Sequence, residues 1–189
     1  MAQIRCLRLV SHRVFVAVCF ASAMSSLAAD PVVSGVQAQQ RPGTKLGEIT
    51  ADDVPEEFVL IPGGTNSGTE PGIGAYSLTV SAFTMGRTEV TKATWDNVRA
   101  WGLDHGYTDL WEGAGKGPTH PVSSVSWYDV VKWCNARSEM EGRTPCYTAS
   151  DSVYKTGEPS GVSDISCNFS ADGYRLPTEV EWEYAARGG

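Results

Sequence analysis

An irregular α+β domain is the fold class this sequence predicts. Three observations carry that reading: short apolar stretches of strand length, three helix starts marked by capping residues, and long Gly-, Ser- and Asp-rich segments between them. Phe58-Val59-Leu60-Ile61 forms a short strand stopped by Pro62-Gly63-Gly64, and the alternation of Leu78, Val80 and Ala82 predicts a second strand running into Phe83. The Gly-rich stretch between them reads as a loop. It lacks the Lys and Ser or Thr of a phosphate-binding loop, which argues against a nucleotide cradle. Thr91 can cap a helix whose Trp95, Val98 and Trp101 recur at helical spacing, with Gly102 as its stop. Ser126 and Asp129 pair as the start of a second helix, which carries Trp127, Val130, Val131 and Cys134 inward and ends at Gly142. A third begins at Thr178, three residues before Glu181. Its Trp182, Ala185 and Ala186 predict a buried stripe, with Glu179, Glu181 and Glu183 solvated. Residues 144–172 read as a long irregular insertion.

The ends of the chain set its class. Arg5, Arg8 and Arg13 precede the apolar run Val14 to Met24 and a small-residue exit at Ser26-Leu27-Ala28, so residues 1–28 read as a signal peptide cleaved after Ala28. The run is well short of the ~20 residues a spanning helix needs, and Val16-Ala17-Val18-Cys19 is a poor lipid-attachment box. The processed protein is therefore expected to be secreted or periplasmic, with no membrane partner after cleavage. Residues 29–56 read as a flexible linker, and 57–189 as the folded part. The formal charge of −7 becomes still more negative once the three arginines leave, which disfavours a nucleic-acid partner.

Of the five cysteines, Cys134, Cys146 and Cys167 survive processing. Export permits disulfides, and Cys146 and Cys167 share the polar segment between two predicted helices. A bridge between them is a candidate, and closing that loop would contribute about 3 kcal/mol. Cys134, on an apolar helix face, reads as a buried thiol. His12, His105 and His120 offer no zinc spacing, and His105 and His120 read as turn residues. Asp151, Asp164 and Asp172 lack the EF-hand spacing for calcium. Glu179 and Glu183 could approach one another, but the helix macrodipole accounts for acids in a first turn. The residues alone present no catalytic, cofactor-binding or metal site.

Four strings, in order, carry a resemblance: FVLIPGG at Phe58 to Gly64, FTMGRTEVT at Phe83 to Thr91, HPVSSVSWYDVVKWCN at His120 to Asn135, and GYRLPTEVEWEYAARGG at Gly173 to Gly189. Together they resemble the sulfatase-modifying factor family, whose members include formylglycine-generating enzymes. The resemblance implies a fold with little regular secondary structure, distantly similar to C-type lectin domains. It also implies copper-dependent, oxygen-driven conversion of a cysteine in a Cys-x-Pro-x-Arg segment of a secreted sulfatase to formylglycine. By that resemblance, 57–189 would be a truncated, N-terminal part of the domain. The family's two catalytic cysteines and its calcium ligands lie beyond the RLPTE helix, so copper and calcium are implied only for a part not present here. No residue of this chain is carried over as catalytic. The chain also departs from the pattern at Thr65-Asn66-Ser67, where an aromatic and a Met-Gly pair are usual, and at Ala186, where oxidase members often have cysteine. Cys134 matches a family cysteine whose usual partner lies farther downstream. Two readings follow: a fragment of a formylglycine-generating-type oxidase acting on a sulfatase-like protein, or a non-catalytic binding or scaffold module on the same fold. A third, an iron-dependent sulfoxide synthase, would need a separate helical domain for which there is no room.

Overall fold

Local capping signals become three helices in the computed structural model, which describes residues 19–20, 54–72, 74–158 and 164–188. In chain order the elements are β1 Cys19–Phe20, β2 Phe58–Ile61, β3 Gly64–Glu70, β4 Gly74–Val80, β5 Phe83–Gly86, α1 Lys92–Asp104, α2 Trp127–Met140, β6 Tyr147–Ala149, β7 Ser152–Val153, β8 Ile165–Cys167, β9 Tyr174–Arg175 and α3 Glu179–Ala186. The strands form a four-stranded sheet ordered β2-β5-β1-β9, the hairpin β3-β4, and a three-stranded sheet ordered β7-β6-β8. This is the irregular α+β arrangement the sequence predicts. No helix among the described residues is long and apolar enough to cross a membrane. The cleavage point at Ala28 and the linker up to residue 53 lie outside the described residues, whereas the main chain of Glu56 and Glu57 is held by Arg87.

All three caps are as expected. Thr91 accepts from the Thr94 amide, and Ser126 with Asp129 and Thr178 with Glu181 complete reciprocal capping boxes. Gly102 does not stop α1: the helix continues to Asp104, and the buried glycine faces Ala136 and Tyr107 at the α1–α2 contact. That contact is built on Trp95 and Trp133, stacked with centroids 5.4 Å apart. Both indole N–H groups find carbonyls, Trp133 on Trp95 and Trp95 on Trp111, so two large aromatics are buried with no polar group stranded.

The apolar alternation misplaces two segments. Leu78 and Val80 do not share a strand with Phe83: β4 ends at Val80, Ser81 and Ala82 are exposed, and β5 belongs to another sheet. The Gly-rich stretch is not a loop but β3, paired residue for residue with β4 from Gly64↔Val80 to Glu70↔Gly74. Polar cross-strand pairs join it, Thr65 to Thr79 and Tyr76 to Asn66. Likewise the insertion at 144–172 holds β6, β7 and β8, with Ser150 and Asp151 both at positive φ in the β6–β7 turn, as a type I′ hairpin requires.

In α3 the buried residue is Tyr184, not Trp182, which is 58% exposed. Tyr184 is seated against Gly64, where an added Cβ would lie 2.7 Å from the phenol oxygen. Arg187 secures the other end of the helix on Glu70 at 3.1 Å and over the Tyr76 ring. Glu181 is not simply solvated. It caps α3 and takes two bonds from Arg175, at 2.6 and 2.7 Å.

Arg137 ties these parts together. Buried in α2, it lies over Tyr174 of β9 at 4.2 Å, over Phe58 of β2 at 5.4 Å and over Trp133 at 5.7 Å. Its donors meet Glu57 and Glu141. Its carboxylate partners reach solvent, Glu57 being 53% and Glu141 31% exposed, so the cation contributes chiefly through the three rings it lies on. Arg137→Met is expected to lower stability by about 1–2 kcal/mol in urea unfolding; a loss below roughly 0.5 kcal/mol would show that the stacked rings stand without it.

Burial opposes the charge on Glu181, but the bonds from Arg175 and the Thr178 amide hold its pKa below the usual carboxylate value. A folded pKa below the unfolded one contributes stability above the unfolded value of about 4.3, and that contribution is lost as pH falls through the folded value. Glu181→Gln should therefore lower stability at pH 7 and flatten the acid limb of the stability profile below about pH 4. An unchanged acid limb would contradict this assignment.

Candidate functional site

The cysteines are the residues in this chain best suited to redox or metal chemistry, and the fold gathers them at the seam between α2 and the β6–β8 sheet. Cys134 projects from α2 and is fully buried, Cys146 precedes β6 and is fully buried, and Cys167 ends β8 half-buried. Between them stands Tyr147, whose phenol is held well above its ordinary pKa, by burial first and then by the neighbouring Cys134 and Cys167. Asn135 fixes this strand to the helix. It accepts from the Tyr147 amide at 2.9 Å and donates to the Tyr147 and Tyr154 carbonyls at 2.7 and 3.0 Å. The Tyr147 hydroxyl in turn accepts from the Leu176 amide.

Cys146 is a free thiol, so the bridge to Cys167 expected from the sequence is not formed. The strand register explains why. Tyr147, not Cys146, is paired with Cys167, and the ladder continues through Asn168 N–H to the Cys146 carbonyl. Alternation along a strand then sends the Cys146 side chain to the face opposite Cys167. Burial pushes the Cys146 thiol up to about 11, against a smaller opposing pull from Arg175. The thiolate is the nucleophile and the metal ligand, and here the fold disfavours it.

The other residues weighed for chemistry are dispersed or engaged. His105 stacks on Trp101 at 3.7 Å and its Nδ1 lies 2.7 Å from the Trp101 carbonyl oxygen, at the end of α1. His120 is exposed in a turn, where its carbonyl accepts from the Lys92 amide. Asp172 accepts from the Thr144 amide, Asp151 sits in the β6–β7 turn, and Glu183 pairs with Arg187 at 2.7 Å. Among the described residues no group of three or more His, Cys, Asp or Glu is placed to hold a metal ion. Sequence reasoning missed the buried cations of α2. Lys132 pairs with Asp109 at 3.0 Å and lies 3.8 Å from Asp129. Their signal was two basic residues on faces of a helix otherwise rich in Val, Trp and Cys.

Residues 45–189 match the sulfatase-modifying factor enzyme 1-like domain, the FGE-sulfatase family. The chain belongs to that family. It is similar to a protein of Paenibacillus barcinonensis named "Chaperone protein LppX", 36% identical over 72% of this chain and 47% of that protein. Among solved structures it is similar to CarF, with 32% identity and a TM-score of 0.61 over 71% of this chain and 58% of the other. It is also similar to Treponema denticola variable protein 1, with 26% identity and a TM-score of 0.54 over 70% and 52%. The chain thus spans about half the length of the curated relative it matches. Cys134 and Cys146 are fully buried at the seam, and Cys167 is half-buried.

A thiol whose folded pKa exceeds its unfolded value of about 8.5 contributes stability below that value, and the contribution is lost as pH rises toward the folded pKa. Stability should therefore fall from about pH 8.5 upward, and Cys146→Ala should make that alkaline slope shallower. In the folded wild-type chain at pH 8, Cys146 should react with a thiol reagent only as fast as the protein opens. Rapid modification under those conditions would contradict its burial.

Proposed function

We propose that this chain is an exported, non-catalytic binding or scaffold module of the FGE-sulfatase family. The supporting observation is that two of the three described thiols in its folded part serve packing: Cys134 and Cys146 are fully buried, and burial disfavours the Cys146 thiolate that cysteine chemistry would use. The surface supports the same reading. Trp111 is 55% exposed and Trp182 58% exposed, and exposed tryptophans are the side chains most enriched where proteins bind one another. A relative that bears the name of a chaperone is in keeping with a module that holds another polypeptide. The acidic balance of the chain favours protein over nucleic acid as that partner.

One observation favours the alternative. Because the chain spans only 47% of its curated relative, it would on that reading supply the N-terminal scaffold of a formylglycine-generating-type oxidase acting on a sulfatase-like protein. One experiment tests the binding-module reading. The purified chain is incubated with copper, oxygen and a Cys-x-Pro-x-Arg peptide, and the peptide is weighed by mass spectrometry. The expected result is unmodified cysteine; conversion to the aldehyde would overturn the binding-module reading.

A further inference from the structure

We infer that β3, β4 and α3 form a flap that opens as one cooperative unit while the α1–α2 core stays closed.

Two packing centres divide the described residues. The main core gathers Phe58, Trp95, Trp133, Tyr147 and Tyr174 with their neighbours, and among the described residues none of its buried or partly buried members comes from β3, β4 or α3. Those three elements have a centre of their own. Tyr184, the buried residue of α3, is 4% exposed and sits against Gly64 of β3. Gly64, Gly68 and Glu70 of β3 and Tyr76, Leu78 and Val80 of β4 make the half-buried face of the hairpin, and the residues alternating with them are exposed.

Neither part stands by itself. A helix of eight residues is shorter than the ~12–15 that persist in water, and an isolated two-stranded hairpin is marginal at best. β3 and β4 pair with one another and with no third strand among those described. Each part therefore needs the other. Tyr184 takes the space that Gly64 leaves, and Arg187 reaches Glu70 at 3.1 Å and lies over the Tyr76 ring at 4.1 Å. The ion pair is half-exposed and adds little, so the seat of the tyrosine carries the joint. Once α3 leaves the hairpin, both lose their support, which makes their opening a single event.

The attachment to the core is narrow. Pro62-Gly63 and Ser81-Ala82 are exposed and lie against one another at the neck of the hairpin, where a Cβ added to Gly63 would stand 2.7 Å from the Ala82 nitrogen. Glu181 ties the first turn of α3 to Arg175 of β9. Opening breaks that tie and turns Tyr184 to solvent together with the half-buried Tyr76, Leu78 and Val80. It leaves the stacked Trp95 and Trp133 closed.

The test is native-state amide hydrogen exchange of the full chain in urea below the global transition. Ladder amides of β3 and β4 and helix amides of α3 are expected to converge on one exchange curve, with protection at least tenfold below that of the α2 amides. Tyr184→Ala should lower protection in the β3–β4 ladder at least tenfold. Leu78→Asp, which puts a charge on the half-buried face of the hairpin, should do the same to the amides of α3. Both variants should leave α2 unchanged within twofold. Hairpin and helix amides on separate curves would overturn the proposal, as would a flap as well protected as α2. Loss of α2 protection in step with either variant would also overturn it, and so would a ladder indifferent to Tyr184→Ala or a helix indifferent to Leu78→Asp.

Discussion

A guanidinium placed among aromatic rings organises this fold. Arg137 sits where α2, β2 and β9 converge, and burial on that scale is tolerable only because each of its faces and edges is answered. Ring faces of Tyr174, Phe58 and Trp133 receive the flat cation, and carboxylates of Glu57 and Glu141 receive its donors. Glu141 also accepts from the Tyr174 hydroxyl, so the same carboxylate orients both the cation and the ring beneath it. One buried cation thereby joins α2 to both β2 and β9.

Such a centre demands a helix buried almost all round, and α2 has that character: every residue from Asp129 to Ser138 is buried. A helix enclosed on every side has no solvated stripe on which to leave polar groups. Each must instead find a partner inside. Lys132 meets Asp109 and Asp129, Asn135 satisfies the carbonyls of Tyr147 in β6 and Tyr154 just after β7, and Ser138 accepts from Tyr174 while donating to the Cys134 carbonyl. Cys134 needs no such answer, since a thiol buries as a small apolar group. The seam that gathers the cysteines is therefore a packing seam, held together by the amide of Asn135.

What the sequence reveals depends on whether the deciding interaction is local. The caps at Thr91, Ser126 and Thr178 were legible because donor and acceptor lie within one turn of each other. So was the inward face of α2 at Val130, Val131 and Cys134. The hairpin β3-β4 was hidden because polar pairs such as Thr65 and Thr79 hold it, and these leave no trace in apolar periodicity. The exposure of Trp182 was hidden because α3 buries its tyrosine under β3 and β4, a choice made by Gly64 more than a hundred residues earlier. The fate of Cys146 depended on which residue of β6 faces Cys167, and a shift of one position reverses the face. Even the tethering of Glu57 to Arg137 joins two parts of the chain that no local pattern connects.

The same distinction bears on function. Cysteine chemistry is carried by reactive groups at a reachable surface, and the fold places Cys134 and Cys146 in packing instead.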